Sequence, residues 1–184
     1  MFTFIKKYLS DNVALPLFEK KKINKGLKIN LNSFGNLNKK KIFYVIRRSP
    51  GAGLFSNLIY VLNHLKIASR HNFIPFVDMQ NFFTIYNEIN KVDKTLNSWE
   101  YYFKQVSNHS IDEIFKSKKV IITNNTFYKD FSHKISNREY RKLASKFIKI
   151  NKKFIIYANK FINNNFKKKT LGIHYRGTSY KTSA

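Results

Sequence analysis

Residues 42–78 decide the fold, and they read IFYVIRRSPGAGLFSNLIYVLNHLKIASRHNFIPFVD. The segment opens on an apolar run, residues 42–46, that is β-branched and aromatic and so predicts a buried strand. Ser-Pro-Gly-Ala-Gly at 49–53 ends that strand, and apolar residues then recur every three or four positions from Leu54 to Ala68, which predicts a helix with one buried face. A second strand, residues 73–78, follows. This order of elements predicts a right-handed crossover onto a parallel sheet.

The rest of the chain alternates in the same way. The sequence predicts a short strand at 27–31, a helical turn at 112–115, a strand at 120–123, helices at 138–150 and 153–166, and a last strand at 170–175. Residues 82–102 are aromatic and polar, which is typical of a loop with short helices. Alternating strands and helices predict an α/β protein with a Rossmann-like parallel sheet and flanking helices.

The charge of the chain has two open interpretations. The 184 residues include 35 Lys and Arg but only 10 Asp and Glu, so the formal net charge is +25. A strongly basic surface attracts polyanions such as nucleic acid, anionic lipid or a nucleotide sugar. Abundant Lys beside abundant Asn, Ile, Phe and Tyr is also the product of A/T-rich codons, with no selection for a polyanion.

The sequence lacks cysteine, a signal peptide and a membrane span, and each absence excludes a type of site or a class of protein. The chain has no cysteine, which excludes disulfides, zinc–thiolate sites and a cysteine nucleophile. Residues 1–17 lack the basic region, apolar run and small-residue cleavage site that follow one another in a signal peptide. No apolar run approaches the length of a membrane span, so we expect a cytoplasmic protein. Lys20–Lys22 and Lys39–Lys41 would make weak contact with an anionic membrane face, or they are simply solvated surface.

The first candidate site is the loop Ser49–Asn57. It follows a strand and opens a helix, the position at which parallel α/β sheets bind ligands. Gly51 and Gly53 let the backbone approach a ligand, while Ser56 and Asn57 add polar contacts. The stretch is neither a dinucleotide fingerprint nor a Walker loop, and a plain turn before a helix is the alternative.

The second candidate site is the segment His174–Ser179. Strand alternation sends His174 and Arg176 to the same face, at the end of the last predicted strand. A guanidinium donates in bidentate fashion to phosphate and Thr178 adds a hydroxyl, so the segment suits a diphosphate. A surface arginine beside a core histidine is the alternative.

These segments resemble the fucosyltransferase superfamily, which includes α-1,6- and protein O-fucosyltransferases. Gly172–Thr178 resembles its His-x-Arg-x-Thr-Asp motif, and Gly51–Asn57 followed by residues 73–79 resembles the glycine-loop segment of bacterial members. Tyr86–Glu88 and Asn97–Phe103 also resemble segments of those bacterial members, and they follow the glycine loop in the same order and at a similar distance. The resemblance covers residues 42–181, and its strength lies in the order of the motifs.

The resemblance implies a two-domain GT-B enzyme that inverts the anomeric carbon and takes GDP-fucose or a related nucleotide sugar without a metal. It implies that Arg176 binds the diphosphate and stabilises its charge as the glycosidic bond breaks, and that His174 shapes the nucleotide pocket with Thr178. It also implies that the loop residues face the cleft near the donor sugar; these are Gly51, Gly53, Phe55, Ser56 and Asn57.

A glycan or other acceptor hydroxyl needs a base or a polar partner. Glu88 is the predicted catalytic base, with Asp78 and Glu100 as acceptor-binding carboxylates. Trp99 and Tyr101 are predicted sugar-stacking surfaces. For both rings the alternative is a place in the core.

Within this scheme residues 1–168 form the acceptor-side domain with a basic N-terminal segment, and residues 169–184 form the first strand and motif of an incomplete nucleotide-sugar domain. Eight residues after the motif do not build a crossover, so we expect a fragment that needs its missing C-terminal domain and is inactive alone. Ser179 replaces the aspartate of the family motif, which would loosen the position of Arg176.

Two other classes stay open. One is a basic nucleic-acid-binding module, although the chain shows no named recognition motif and its lysines are spread along its length. The other is a non-catalytic scaffold domain with a degenerate site, which Ser179 favours. The glycine loop argues against a dehydrogenase, because it lacks the dinucleotide fingerprint and its acidic ribose partner.

Overall fold

The structure, a computed structural model, describes residues 31–47, 53–81, 84–123 and 135–172. Its strands are β1 (Leu31–Asn32), β2 (Phe43–Ile46), β3 (Ile74–Val77) and β4 (Val120–Ile122). Its helices are α1 (Leu54–Arg70), α2 (Ser98–Tyr102), α3 (Ile111–Ile114), α4 (Asn137–Phe147) and α5 (Lys152–Asn165). The α/β class is confirmed.

The four strands form one open mixed sheet in the order β1-β4-β2-β3. β2 pairs in parallel with β3, as predicted, and also with β4, whereas β1 pairs antiparallel with β4. The sheet that was predicted to be parallel is therefore mixed, because its edge strand β1 runs antiparallel. The connection from β1 to β2, residues 33–42, is too short for a crossover, so the chain must turn back at the end of the sheet where β1 stops.

Strand alternation divides the core between the two faces of the sheet. Tyr44 and Ile46 point to the face that α1 and α4 cover, while Phe43 and Val45 point to the face that α3 covers. All four side chains are fully buried. A strand covered on both faces reads as a continuous apolar run, which is why residues 42–46 were recognisable in the sequence.

Among the residues that the structure describes, side chains rather than another strand close the outer edge of β3. Its outward N–H positions are Pro75, which has no donor, and Val77, whose N–H donates to Gln105 Oε1 at 2.9 Å. Gln105 Nε2 donates back to Val77 O at 3.0 Å, so the amide imitates a neighbouring strand. Such caps keep an edge strand from pairing with another chain.

The chain divides into two compact units, Met1–Ile150 and Asn151–Ala184. The sheet, both core clusters and helices α1 to α4 belong to the first unit, and α5 belongs to the second. The predicted domain boundary after residue 168 lies within the second unit and stays a prediction. Among the described residues, no helix combines the length and the apolar character that crossing a membrane requires.

Candidate active site at the carboxyl edge of the sheet

The strand order places a crevice beside β2. The chain runs from β2 through α1 to β3 on one side and then to β4 on the other, so β2 and β4 flank a switch point. Open α/β sheets bind ligands outside the carboxyl ends of the strands at such a point. Two hydrogen bonds tie these ends together: Thr123 N to Val45 O and Arg47 N to Thr123 Oγ1, both 2.9 Å.

Helix α1 begins at this edge, and a tyrosine hydroxyl accepts a hydrogen bond from its first backbone N–H. Gly53 is the N-cap and has an extended backbone, and Leu54 N donates to Tyr86 Oη at 2.7 Å. The first turn of a helix leaves N–H groups without intrahelical acceptors, so the hydroxyl satisfies one of them. The described part of the predicted glycine loop therefore meets the segment 86–88.

The same segment reaches α2. Tyr101 Oη lies 3.4 Å from Glu88 N, and the rings of Tyr86 and Tyr102 meet edge to face with centroids 6.2 Å apart. Three stretches that are separate in the sequence, at 53–57, 86–88 and 97–103, thus form one continuous cluster. We call this cluster the tyrosine site, with Tyr86 at its centre.

The predicted loop residues differ in exposure. Phe55 is 76% exposed and Ser56 is exposed, whereas Asn57 is 2% exposed and belongs to the buried face of α1. Three- and four-residue periodicity explains the difference, because Asn57 lies in line with the buried residues Tyr60 and Val61. Phe55 and Ser56 are the predicted loop side chains that a ligand can reach in this structure.

Glu88, the predicted base, is exposed on the same segment as Tyr86. Its backbone position is set by Tyr101, whereas its carboxylate faces solvent. Glu88 therefore lies two residues along the chain from the tyrosine that contacts the beginning of α1, and its role as a base stays a prediction.

Asp78 directly follows β3 and is fully buried. Its Oδ2 accepts from Arg47 Nε and Nη2 at 2.8 Å each, and its Oδ1 accepts from Gln80 N at 3.2 Å and Asn81 N at 2.9 Å. The carboxylate thus neutralises Arg47 and shapes the turn after β3. These contacts already use both oxygens, so acceptor binding by Asp78 stays a prediction.

A cleft of about 470 Å³ opens beyond the end of β3, and Asp78 and Glu100 both line it. Glu100 Oε1 accepts from Asn97 Nδ2 at 3.1 Å and from Gln105 Nε2 at 3.0 Å. Two of the predicted acceptor residues, 22 positions apart, therefore meet at one surface. The remaining lining is mostly polar and comprises Phe76, Gln80, Lys94, Thr95, Asn97, Gln105, Ser107, Asn108, His109, Ser110 and Ile111.

The two predicted sugar-stacking rings are buried. Trp99 is 2% exposed and packs on Phe103 with centroids 4.5 Å apart, and its Nε1 donates to Lys104 O at 3.2 Å. Tyr101 is 4% exposed. Neither ring offers an open face in this conformation, so the stacking role stays a prediction and both rings serve the core.

Arg47 is the site residue that the sequence analysis missed. Ile46 pairs with Val77 in the parallel register, so the next residues, Arg47 and Asp78, emerge side by side. A signal was present, because opposite charges directly follow two strands that were predicted to be parallel. Its guanidinium also lies 5.6 Å from the centroid of the Phe115 ring.

Part of the predicted donor site lies outside the described residues: Gly51, His174, Arg176 and Thr178. Within the described ranges, no three His, Asp or Glu side chains gather as metal ligands would. Comparison with family models, with curated proteins and with solved structures finds no match to this chain.

Proposed function

We propose that the chain is the acceptor-side half of a fucosyltransferase-like glycosyltransferase of the GT-B type. The observation that supports this is the tyrosine site. The stretches that carry the resemblance around residues 53–57, 86–88 and 97–103 are in contact, through Leu54 N to Tyr86 Oη at 2.7 Å and Glu88 N to Tyr101 Oη at 3.4 Å. Motifs that touch at the carboxyl edge of a parallel sheet are typical of a shared ligand site.

The acceptor is proposed to enter by the cleft that Asp78 and Glu100 line. Carboxylates and amides bind sugar hydroxyls well, and the charge of the Glu100 carboxylate repels a diphosphate. Only 10 residues of the chain are acidic, so two of them at one cleft contrast with a net charge of +25. The cleft therefore suits a neutral glycan hydroxyl better than it suits the donor.

The donor is proposed to bind through the segment that contains His174, Arg176 and Thr178. Arg176 neutralises the diphosphate as the bond to the sugar breaks, and no metal is required for that role. Glu88 accepts the proton of the attacking hydroxyl, and the attack inverts the anomeric carbon. A second Rossmann-like domain completes the nucleotide pocket, and transfer requires it.

The donor assignment is tested by calorimetric titration of GDP and GDP-fucose into the purified chain, beside Arg176→Ala, at two salt concentrations. Binding of both ligands that the variant loses supports the proposal. Binding of RNA or DNA that the variant retains, with no response to GDP-fucose, would instead favour the nucleic-acid-binding class.

The predicted contact between the loop at the beginning of α1 and the donor sugar is tested with a matched pair of hydroxyl deletions on the partners of α1. Tyr86→Phe removes the hydroxyl that holds the beginning of α1, whereas Tyr140→Phe removes one that donates to Asn63 Oδ1 at 3.0 Å on the same helix. We expect Tyr86→Phe alone to weaken GDP-fucose binding. Equal effects of the two variants would contradict a ligand site at Tyr86.

A further inference from the structure

Helix α5 carries an apolar stripe that differs from those of the other long helices. Phe154, Ile155, Ala158, Phe161 and Ile162 recur at three- and four-residue spacing and therefore lie along one side. No residue of α5 is buried, and Ile155, Phe161 and Ile162 are 45%, 49% and 43% exposed.

Helix α4 shows what such a stripe ordinarily does in this chain. Its apolar residues Tyr140, Leu143, Ala144 and Phe147 pack against the main core cluster. Helix α5 has a stripe of similar length and stands in the second compact unit. An amphipathic helix of this kind gains stability only when its apolar side is covered.

The charge around α5 is entirely positive. Residues 151–172 contain no Asp, Glu, Arg or His but six lysines, which are Lys152, Lys153, Lys160, Lys167, Lys168 and Lys169. At about 100° per residue, Lys152, Lys153 and Lys160 lie on the side opposite the stripe. The first turn holds two lysines and no acidic residue, so both the helix dipole and these side chains attract an anion there.

We infer that α5 lies in the plane of an anionic lipid surface, with its stripe among the acyl chains and its lysines among the headgroups. Interfacial helices carry an apolar stripe opposite a lysine-rich side, and in α5 that second side holds three lysines together with the exposed Ile156. The helix has 14 residues, a length of about 21 Å, which suits an in-plane position and is too short to cross the hydrocarbon layer.

Charge complementarity favours lipid over a second copy of the chain. Two copies of residues 151–172 would bring twelve lysines together, with no carboxylate in that range to offset them. An anionic leaflet offsets the lysines, and each lysine near such a surface strengthens binding by roughly fivefold. This inference is independent of the proposed function, because it uses neither the tyrosine site nor the donor segment.

The first test is co-sedimentation of the full chain with phosphatidylcholine vesicles that do or do not contain phosphatidylglycerol. The test variant is Phe161→Gln with Ile162→Gln, since glutamine keeps the helix. The matched control is Ile85→Gln with Ile89→Gln, which removes two exposed isoleucines, 58% and 95% exposed, from the first unit. Circular dichroism checks that both variants keep their helix content.

We expect binding to the anionic vesicles only, a fall of roughly tenfold or more in affinity for the α5 variant, and no change for the control. Absence of binding to anionic vesicles would overturn the inference. So would unchanged affinity of the α5 variant, because binding would then come from net charge alone. Loss of a dimer in the α5 variant, without vesicle binding, would assign the stripe to a second copy.

A second measurement separates insertion from adsorption. Because the chain has no cysteine, Phe161→Cys and Asn163→Cys each provide a single site for a polarity-sensitive fluorophore. The two positions lie on opposite sides of α5. A blue shift on anionic vesicles at position 161 but not at 163 is the expected result, and equal spectra at both positions would refute an in-plane helix.

Discussion

Arg47 and Asp78 form a buried ion pair that joins the carboxyl ends of β2 and β3: Nε and Nη2 of Arg47 both lie 2.8 Å from Oδ2 of Asp78. The pair holds the two strands in register at the edge where α1 begins. Because Asp78 also accepts two backbone N–H groups of the following turn, its carboxylate organises the edge of the cleft.

Removal of this carboxylate should destabilise the fold strongly. Asp78→Ala leaves the Arg47 guanidinium, whose side chain is 15% exposed, without its partner, and breaking a buried pair in this way costs about 3–5 kcal/mol. Denaturant titration measures the loss in the free energy of unfolding. The exposed carboxylate of Glu88 provides the control, because Glu88→Ala should change that free energy by about 0.5 kcal/mol or less. A loss below about 1 kcal/mol in Asp78→Ala would mean that the pair contributes little.

Gln105 should protect the outer edge of β3. Gln105→Ala leaves the Val77 N–H without its acceptor, which costs about 1–3 kcal/mol, and opens the edge to pairing with another chain. We expect lower stability by denaturant titration together with concentration-dependent association in analytical ultracentrifugation. Asn108→Ala changes an exposed residue close to Gln105 in the sequence and should show neither effect. A monomer of unchanged stability in Gln105→Ala would contradict this account of the edge.

The carboxylate of Glu139 should make stability depend on pH. The Ser136 backbone N–H, which donates to Oε2 at 3.0 Å, and Lys66 Nζ, 3.2 Å from Oε1, hold the pKa of Glu139 below its ordinary value. A lowered folded-state pKa adds stability that is present above the unfolded-state pKa and is lost as the pH falls through the folded-state pKa.

Glu139→Gln tests this, since glutamine preserves the capping box at Ser136 and removes only the charge. We expect the denaturation midpoint of the variant to fall less than that of the wild type as the medium is acidified below the ordinary glutamate range. Glu88→Gln should follow the wild type. Parallel curves for Glu139→Gln and the wild type would refute the prediction.

Gly35 should be intolerant of a side chain. A Cβ there would lie 2.5 Å from Lys116 O, and a backbone atom cannot move aside as a flexible side chain can. Gly35→Ala should therefore cost about 1–3 kcal/mol of unfolding free energy. Gly172, which has no atom within 4 Å of such a Cβ, provides the matched control, and Gly172→Ala should leave stability unchanged. Equal unfolding free energies in the two variants would show that the β1–β2 connection can shift.

Local patterns predicted much of the candidate site. The beginning of α1 lies where the glycine stretch placed it, and Tyr86–Glu88 lies beside it because Tyr86 caps that helix. The burial of Trp99 and Tyr101 was left open, since an aromatic residue suits a core and a sugar surface equally well. Which of these it serves depends on neighbours such as Phe103, and these are set by packing.

The sequence by itself determined the β2–α1–β3 unit, because hydrophobic periods of two and 3.6 residues record which side of each element is buried. Only the tertiary structure decided that β4 lies on the far side of β2, that β1 runs antiparallel, and that Arg47 neutralises Asp78. The physical reason is that periodicity records burial but not the identity of the neighbour. Contacts between distant segments depend on how the whole chain closes around its core, which no local pattern contains.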